Sequence, residues 1–136
     1  MRKIVVSFSI MISTLLATDG YEVYKQKCML CHIEIINKSE TIKRFRTLKA
    51  PPMIEVANQL KNNIITKDDD EDVHRQVVIA FIKEYIDKPD LQYTMCHPMA
   101  IEKFGVMPSL KGQLSDKEKQ AVAEWIYDRY EGKEFK

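Results

Sequence analysis

The sequence predicts an all-α fold, a single domain of four or five helices. Three observations carry that expectation. Beyond residue 17 no stretch alternates apolar and polar residues for long, and no Asn-Gly or Asp-Gly pair sits between two such stretches. Apolar residues recur instead at steps of three and four, the spacing that lines one face of a helix. Helix start and stop residues flank several of those runs. The 136 residues leave room for one domain, and 45% hydrophobic with 30% charged residues, only four Gly and five Pro excludes a disordered or collagen-like chain. Twenty-one Lys and Arg against twenty Asp and Glu give a net charge of +1, which argues against non-specific nucleic-acid binding, a mode that needs surplus positive charge.

The first seventeen residues read as an address. Met1-Arg2-Lys3 is followed by an uncharged run from Ile4 to the small residue Ala17. A basic start, a short apolar stretch and a small residue at its end make a secretory signal peptide, expected over 1–17 with the mature domain over 18–136 and the periplasm as destination. The run is shorter than the roughly 20 apolar residues that span a bilayer; an uncleaved anchor is the alternative. Cleavage removes two cations and no acid, so the mature domain carries a net charge of −1.

The helices follow in order. Asp19–Cys31 suits a first helix around Val23, Tyr24 and Lys27. Met53, Val56, Ala57, Leu60 and Ile64 make an amphipathic helix after Pro51-Pro52. Val73, Val77, Ala80, Phe81 and Tyr85 repeat the pattern in a helix that begins in the acidic run 68–72, where carboxylates complement unpaired N–H groups, and ends at Pro89. Pro98 to Phe104 is a short helix with Pro in its first turn and Gly105 as its stop. Ser115 and Glu118 form a capping box for the last helix, whose inner face is Val122, Trp125, Ile126 and Tyr130.

The most informative segment is Cys28-Met29-Leu30-Cys31-His32. Two thiols two residues apart can add to the two vinyl groups of one haem, and the adjacent His then lies beneath the iron as proximal ligand. A redox dithiol and half a zinc site are the competing readings. The first wants a strand before the motif in a βαβ context, which this chain lacks. The second needs further ligands, for which only Cys96, His74 and His97 remain.

These residues resemble the monohaem class I c-type cytochromes of the bacterial periplasm. Asp19-Gly20 and Tyr24 ahead of Cys28 are similar to that family's first helix, and Phe104-Gly105-Val106-Met107-Pro108 to its Met-Pro segment. The run from Leu114 to Tyr130 looks like its C-terminal helix, with Trp125 packing across the first. The resemblance implies one covalently attached haem c per chain, held by Cys28 and Cys31, with His32 as proximal and Met107 as distal iron ligand. It implies a single-electron carrier rather than an enzyme, passing electrons between redox protein partners in the periplasm or at the membrane. A thioether opposite an imidazole favours reduced iron, so a fairly high potential is expected. A haem-based gas or redox sensor, or a small haem enzyme, is the alternative if the distal position is open or displaceable.

Other residues compete for roles. Met53, Met95 and Met99 are rival thioethers, and His97 is a rival imidazole whose ordinary reading is a cap or surface residue before Pro98. His74, beside the acidic run, is expected to pair with a carboxylate. Cys96 is the odd cysteine, either buried and inert or a bridge between chains. Lys38, Lys43, Arg44, Arg46 and Lys49 face Glu40 alone between residues 38 and 49, a basic run that with Lys25 and Lys27 is a candidate surface for steering an acidic partner. The carbonyl of Pro51 or Pro52 is a candidate acceptor for the second nitrogen of His32.

Overall fold

The computed structural model describes residues 17–67 and 70–136. The expected signal peptide lies outside the described residues except for Ala17, as do Asp68 and Asp69 of the acidic run. Among the described residues there are six helices and no strand: α1 (Gly20–Lys27), α2 (Lys38–Arg44), α3 (Met53–Asn63), α4 (Glu71–Asp87), α5 (Pro98–Phe104) and α6 (Asp116–Arg129). The all-α single domain matches the expectation. The sixth helix, α2, was not foreseen.

Most termini are set by side chains already visible in the sequence. Asp19 caps α1 by accepting from the Tyr21 amide, and Asp70 caps α4 by accepting from the amides of Asp72 and Val73. Ser115 and Glu118 form the reciprocal capping box of α6. Pro98 opens α5, and Gly105 closes it with φ of 68°, a left-handed backbone that costs glycine little.

The core gathers α1, α3, α4 and α6. Val23 and Tyr24 of α1 meet Val122, Ala123 and Ile126 of α6, with Ile54, Ala57 and Leu60 of α3 and Val78, Ile79 and Ile82 of α4 in the same cluster. Chain ends meet here as well: α1 and α6 pack against each other more extensively than any other pair of helices. Trp125 lies against α1 as expected, its ring 4.5 Å from Tyr24 and 5.4 Å from Tyr21.

Two sequence expectations need correction. The first helix stops at Lys27, so the cysteine motif is not its last turn. Cys28 is the C-cap, and the motif curls on through bonds from the amides of Cys31 and His32 to the Cys28 carbonyl. The inner face of α4 was also misread. Val73 and Val77 are each 42% exposed, while Val78, Ile79, Ile82 and Ile86 are buried. The segment from Val77 to Ile82 is apolar on every face, so spacing alone admits more than one stripe. The stripe that wins meets α6. Phe81 and Tyr85, stacked with centroids 5.5 Å apart, turn to a second surface described next.

Candidate haem site

A cleft partly open to solvent runs between the Cys28–His32 turn, α3, α4 and the segments on either side of α5. Its walls are largely apolar: Val56, Leu60, Phe81, Ile82, Ile86, Ala100 and Leu110 among others. Cys28, Cys31, His32 and Met107 all line it. Met107 is distant from the other three in sequence, so the fold, and not the motif, brings the four to one surface.

His32 is held through one ring nitrogen. Its Nδ1 lies 2.7 Å from the Pro51 carbonyl, which selects Pro51 over Pro52. A carbonyl oxygen only accepts, so Nδ1 carries the proton and Nε2 keeps its lone pair, with no hydrogen bond of its own among the described residues. Burial pushes the imidazole pKa down more than the Pro51 contact raises it, so the ring is held neutral, the form that ligates metals. Pro52 directly precedes α3, so helix formation there sets the place of the Pro51 carbonyl.

The segment bearing Met107 is tied down at both ends. Upstream, the Gly105 amide closes α5 on the Ile101 carbonyl at 2.8 Å. Downstream, Ser109 Oγ donates to the Asp87 carbonyl at 2.6 Å and the Leu110 amide to the Ile86 carbonyl at 2.8 Å, both at the end of α4. Met107 itself is half-buried against the core.

The rivals separate. Met53 and Met95 line the cleft as well, but Met99 is 61% exposed and does not. His97 is outside the lining; its Nδ1 accepts from the Met99 amide and caps α5. His74 does not pair with a carboxylate as expected. Its Nε2 donates to the Ile64 carbonyl at 2.9 Å and its Nδ1 accepts from the Tyr127 hydroxyl at 3.0 Å. Cys96 is half-buried on the cleft wall, and burial raises its thiol pKa.

The chemistry of this donor set separates the readings of the cysteine pair. Burial, chiefly, pushes the Cys28 thiol up to about 11, and the residue sits at a helix C-terminus, where the dipole also disfavours a thiolate. Reactive dithiols have the reverse environment. Among the described residues no three His, Cys, Asp or Glu side chains converge as a metal site would need, so zinc finds no ligand set. An apolar cleft with three thiols, two of them in the Cys28–Cys31 pair, one imidazole whose Nε2 makes no hydrogen bond among the described residues and three thioethers on its walls fits a haem.

Several contributors to the site escaped the sequence reading. Tyr24 donates its hydroxyl to the His32 carbonyl at 2.6 Å, and Tyr130 donates to the Glu34 carbonyl at 2.8 Å. Arg129 holds the Glu34 carboxylate at 2.8 Å. The signal was a tyrosine where a phenylalanine would pack equally well: a buried ring with a polar tip usually has a partner. Lys27 and Lys49 stand at the cleft wall, and none of Lys38, Lys43, Arg44, Arg46 and Lys49 reaches a carboxylate within ion-pair distance among the described residues. Lys25, in contrast, is engaged by Glu22.

Comparison with known proteins identifies the family. The family model described as cytochrome c oxidase, cbb3-type, subunit III matches residues 16–126. A protein of Aquifex aeolicus (strain VF5), described as uncharacterized, is 38% identical over an alignment of 144 residues covering 96% of this chain and 89% of the relative. No solved structure matches. The family match spans both the cysteine motif and the Met107 segment, and on that ground the chain belongs to the c-type cytochrome family described as cytochrome c oxidase, cbb3-type, subunit III.

Proposed function

We propose that the chain is a single-electron carrier with one covalently attached haem c. Cys28 and Cys31 hold the haem as thioethers, His32 is the proximal iron ligand and Met107 the distal one. The observation that carries this reading is the shared cleft: the imidazole with a free Nε2 and the tethered Met107 thioether line the same apolar cavity as both thiols. The bound haem supplies an iron centre that gains or loses one electron. The protein's part is positional. The apolar walls exclude water and lower the local dielectric, Pro51 fixes the imidazole, and the anchored segment 105–110 fixes the thioether. Ligands that do not move between oxidation states keep the rearrangement on electron transfer small. No side chain of the cleft is assigned an acid–base role on a substrate.

Residues 1–17 act as a signal peptide and the domain 18–136 works in the periplasm. Among the described residues no helix is long and apolar enough to cross a membrane. The partners are redox proteins, one giving and one taking the electron. The cations between Lys38 and Lys49, which make no ion pair among the described residues, suit with Lys27 at the cleft a partner with an acidic face. Association with such a partner should slow about tenfold or more between low salt and ~0.5 M, because exposed charges are screened over a few ångströms there. Stopped-flow rates that ignore ionic strength would sink the steering role.

The carrier reading itself is tested by the optical spectrum of the periplasmically expressed protein, oxidised and reduced. A low-spin haem c with the weak long-wavelength band of Met–iron ligation, unmoved by carbon monoxide, is expected. A high-spin or gas-binding iron would remove Met107 from its role and favour a sensor or a small haem enzyme.

A further inference from the structure

Three successive peptide carbonyls after the cysteine motif are each held by a different part of the fold. The His32 carbonyl accepts from the Tyr24 hydroxyl of α1 at 2.6 Å, the Ile33 carbonyl from the Met53 amide of α3 at 2.8 Å, and the Glu34 carbonyl from the Tyr130 hydroxyl beyond α6 at 2.8 Å. Tyr24 acts at the other end of the motif too. Its own carbonyl accepts from the amides of Cys28, at 2.8 Å, and Met29, at 3.0 Å. One residue therefore closes the pentapeptide at its beginning and at its end.

Tyr24 has little freedom of its own. It is completely buried, its backbone is inside α1, and its ring stacks on Trp125. Burial raises the pKa of its hydroxyl, so it remains a proton donor at any ordinary pH. The hydroxyl is thus delivered to one place by a helix and by a stacked ring, neither of which depends on the loop it holds.

We propose that Tyr24 is a positioning residue for the proximal imidazole. The inference rests on His32 as iron ligand. An imidazole is aimed by its backbone and by rotation about its two side-chain bonds. Pro51 restrains the ring through Nδ1, and Tyr24 restrains the peptide from which the side chain departs. With both in place the direction of Nε2 is fixed before any metal is bound. With only the Pro51 contact, the peptide after His32 can rotate and the ring can tilt against the iron. Outer partners of metal-bound histidines act in this way on ligand strength.

The test compares two variants of the haem-loaded protein, Tyr24→Phe and Tyr130→Phe. Each keeps its ring and deletes one buried hydroxyl–carbonyl bond to the same loop, so a merely structural role predicts similar losses of melting temperature and nothing more. The positioning role predicts that Tyr24→Phe alone changes the ratio of reduced to oxidised haem at fixed potential by three- to tenfold, about 30–60 mV at 59 mV per decade. It also predicts displaced paramagnetic proton resonances of the proximal imidazole in Tyr24→Phe and unchanged ones in Tyr130→Phe. Equal midpoints in both variants and in the parent would overturn it, as would equal shifts in both. Should Tyr24→Phe not fold, site-specific 3-fluorotyrosine at position 24, a stronger donor on the same ring, replaces it, and the midpoint must move relative to the same replacement at position 130. A His32→Ala protein that keeps the parent's low-spin spectrum would sink the ligand assignment itself. Unchanged midpoints while His32 remains essential would sink the positioning role alone.

Discussion

Met107→Ala should convert an inert, low-spin iron into one that binds carbon monoxide in the reduced state, and should lower its reduction potential. The side chain is half-buried on the cleft wall, so truncation removes the thioether without disturbing a deep core position. The segment around it is held independently, by the closing bond of α5 and by the bonds of Ser109 and Leu110 to the end of α4. The loop therefore keeps its path and cannot bring another donor in by collapsing. A thioether opposite an imidazole favours ferrous iron, and axial ligands as a class move haem potentials over roughly 0.8 V; a fall on the order of 0.1 V is expected here. Redox titration and carbon monoxide difference spectra of parent and variant measure both effects. Met95 and the more deeply buried Met53 are the internal rivals, because both line the same cleft. If Met107→Ala keeps the parent spectrum while Met95→Ala opens the iron, the distal ligand is Met95.

That rivalry marks where the sequence stops being legible. The cysteine motif is a local signal, because its spacing alone makes Cys28, Cys31 and His32 candidates for one ring, and the structure places all three on one cleft. The capping box at Ser115 and the stop at Gly105 are equally local, and both stand in the structure. What the sequence could not rank was the set of distal donors, since a ligand far along the chain is chosen by packing. The fold removes Met99 and His97 from the cleft and leaves Met53 and Met95 in it beside Met107.

The misread elements have physical reasons too. α2 is only seven residues long and too charged to show an apolar stripe. Its start was nonetheless encoded, in Asn37 followed three residues later by Glu40, whose amide the Asn37 side chain accepts. On α4 an uninterrupted apolar stretch serves two surfaces at once, the core through Val78 and Ile79 and the cleft through Phe81, which Tyr85 joins one turn on. Helical periodicity reports one buried face, so a helix with two defeats it. His74 was assigned by its neighbours in sequence, whereas a helix sends it to Ile64 and Tyr127.

The largest stability effect is expected from Gly20→Ala. Gly20 is the first residue of α1 and is buried where that helix approaches α6. A Cβ placed on it would collide with the Ala121 carbonyl oxygen and lie 2.7 Å from the Ala121 carbonyl carbon and from Trp125 Cβ. Two of those three atoms are backbone and the third is the root of a side chain, so none can swing aside. Alanine's higher helix propensity returns at most about 1 kcal/mol, and less at a first-turn position. The clash must then be relieved by moving α1 off α6, at the expense of the Tyr24–Trp125 stack and the burial of Val23. Overpacking of this kind costs ~1–3 kcal/mol or more, so the net loss should approach 2 kcal/mol, near 10 °C in Tm for a domain of this size. Thermal melts of the haem-loaded protein followed by far-UV circular dichroism measure it, and a variant melting within ~2 °C of the parent would show that the helices can separate freely. They should not, because α1 also carries Cys28 at its end and the Tyr24 hydroxyl on its inner face. Any shift of α1 is therefore a shift of the Cys28–His32 wall of the cleft, and with His32 as the proposed proximal ligand the same substitution should disturb the imidazole resonances along with the melting temperature.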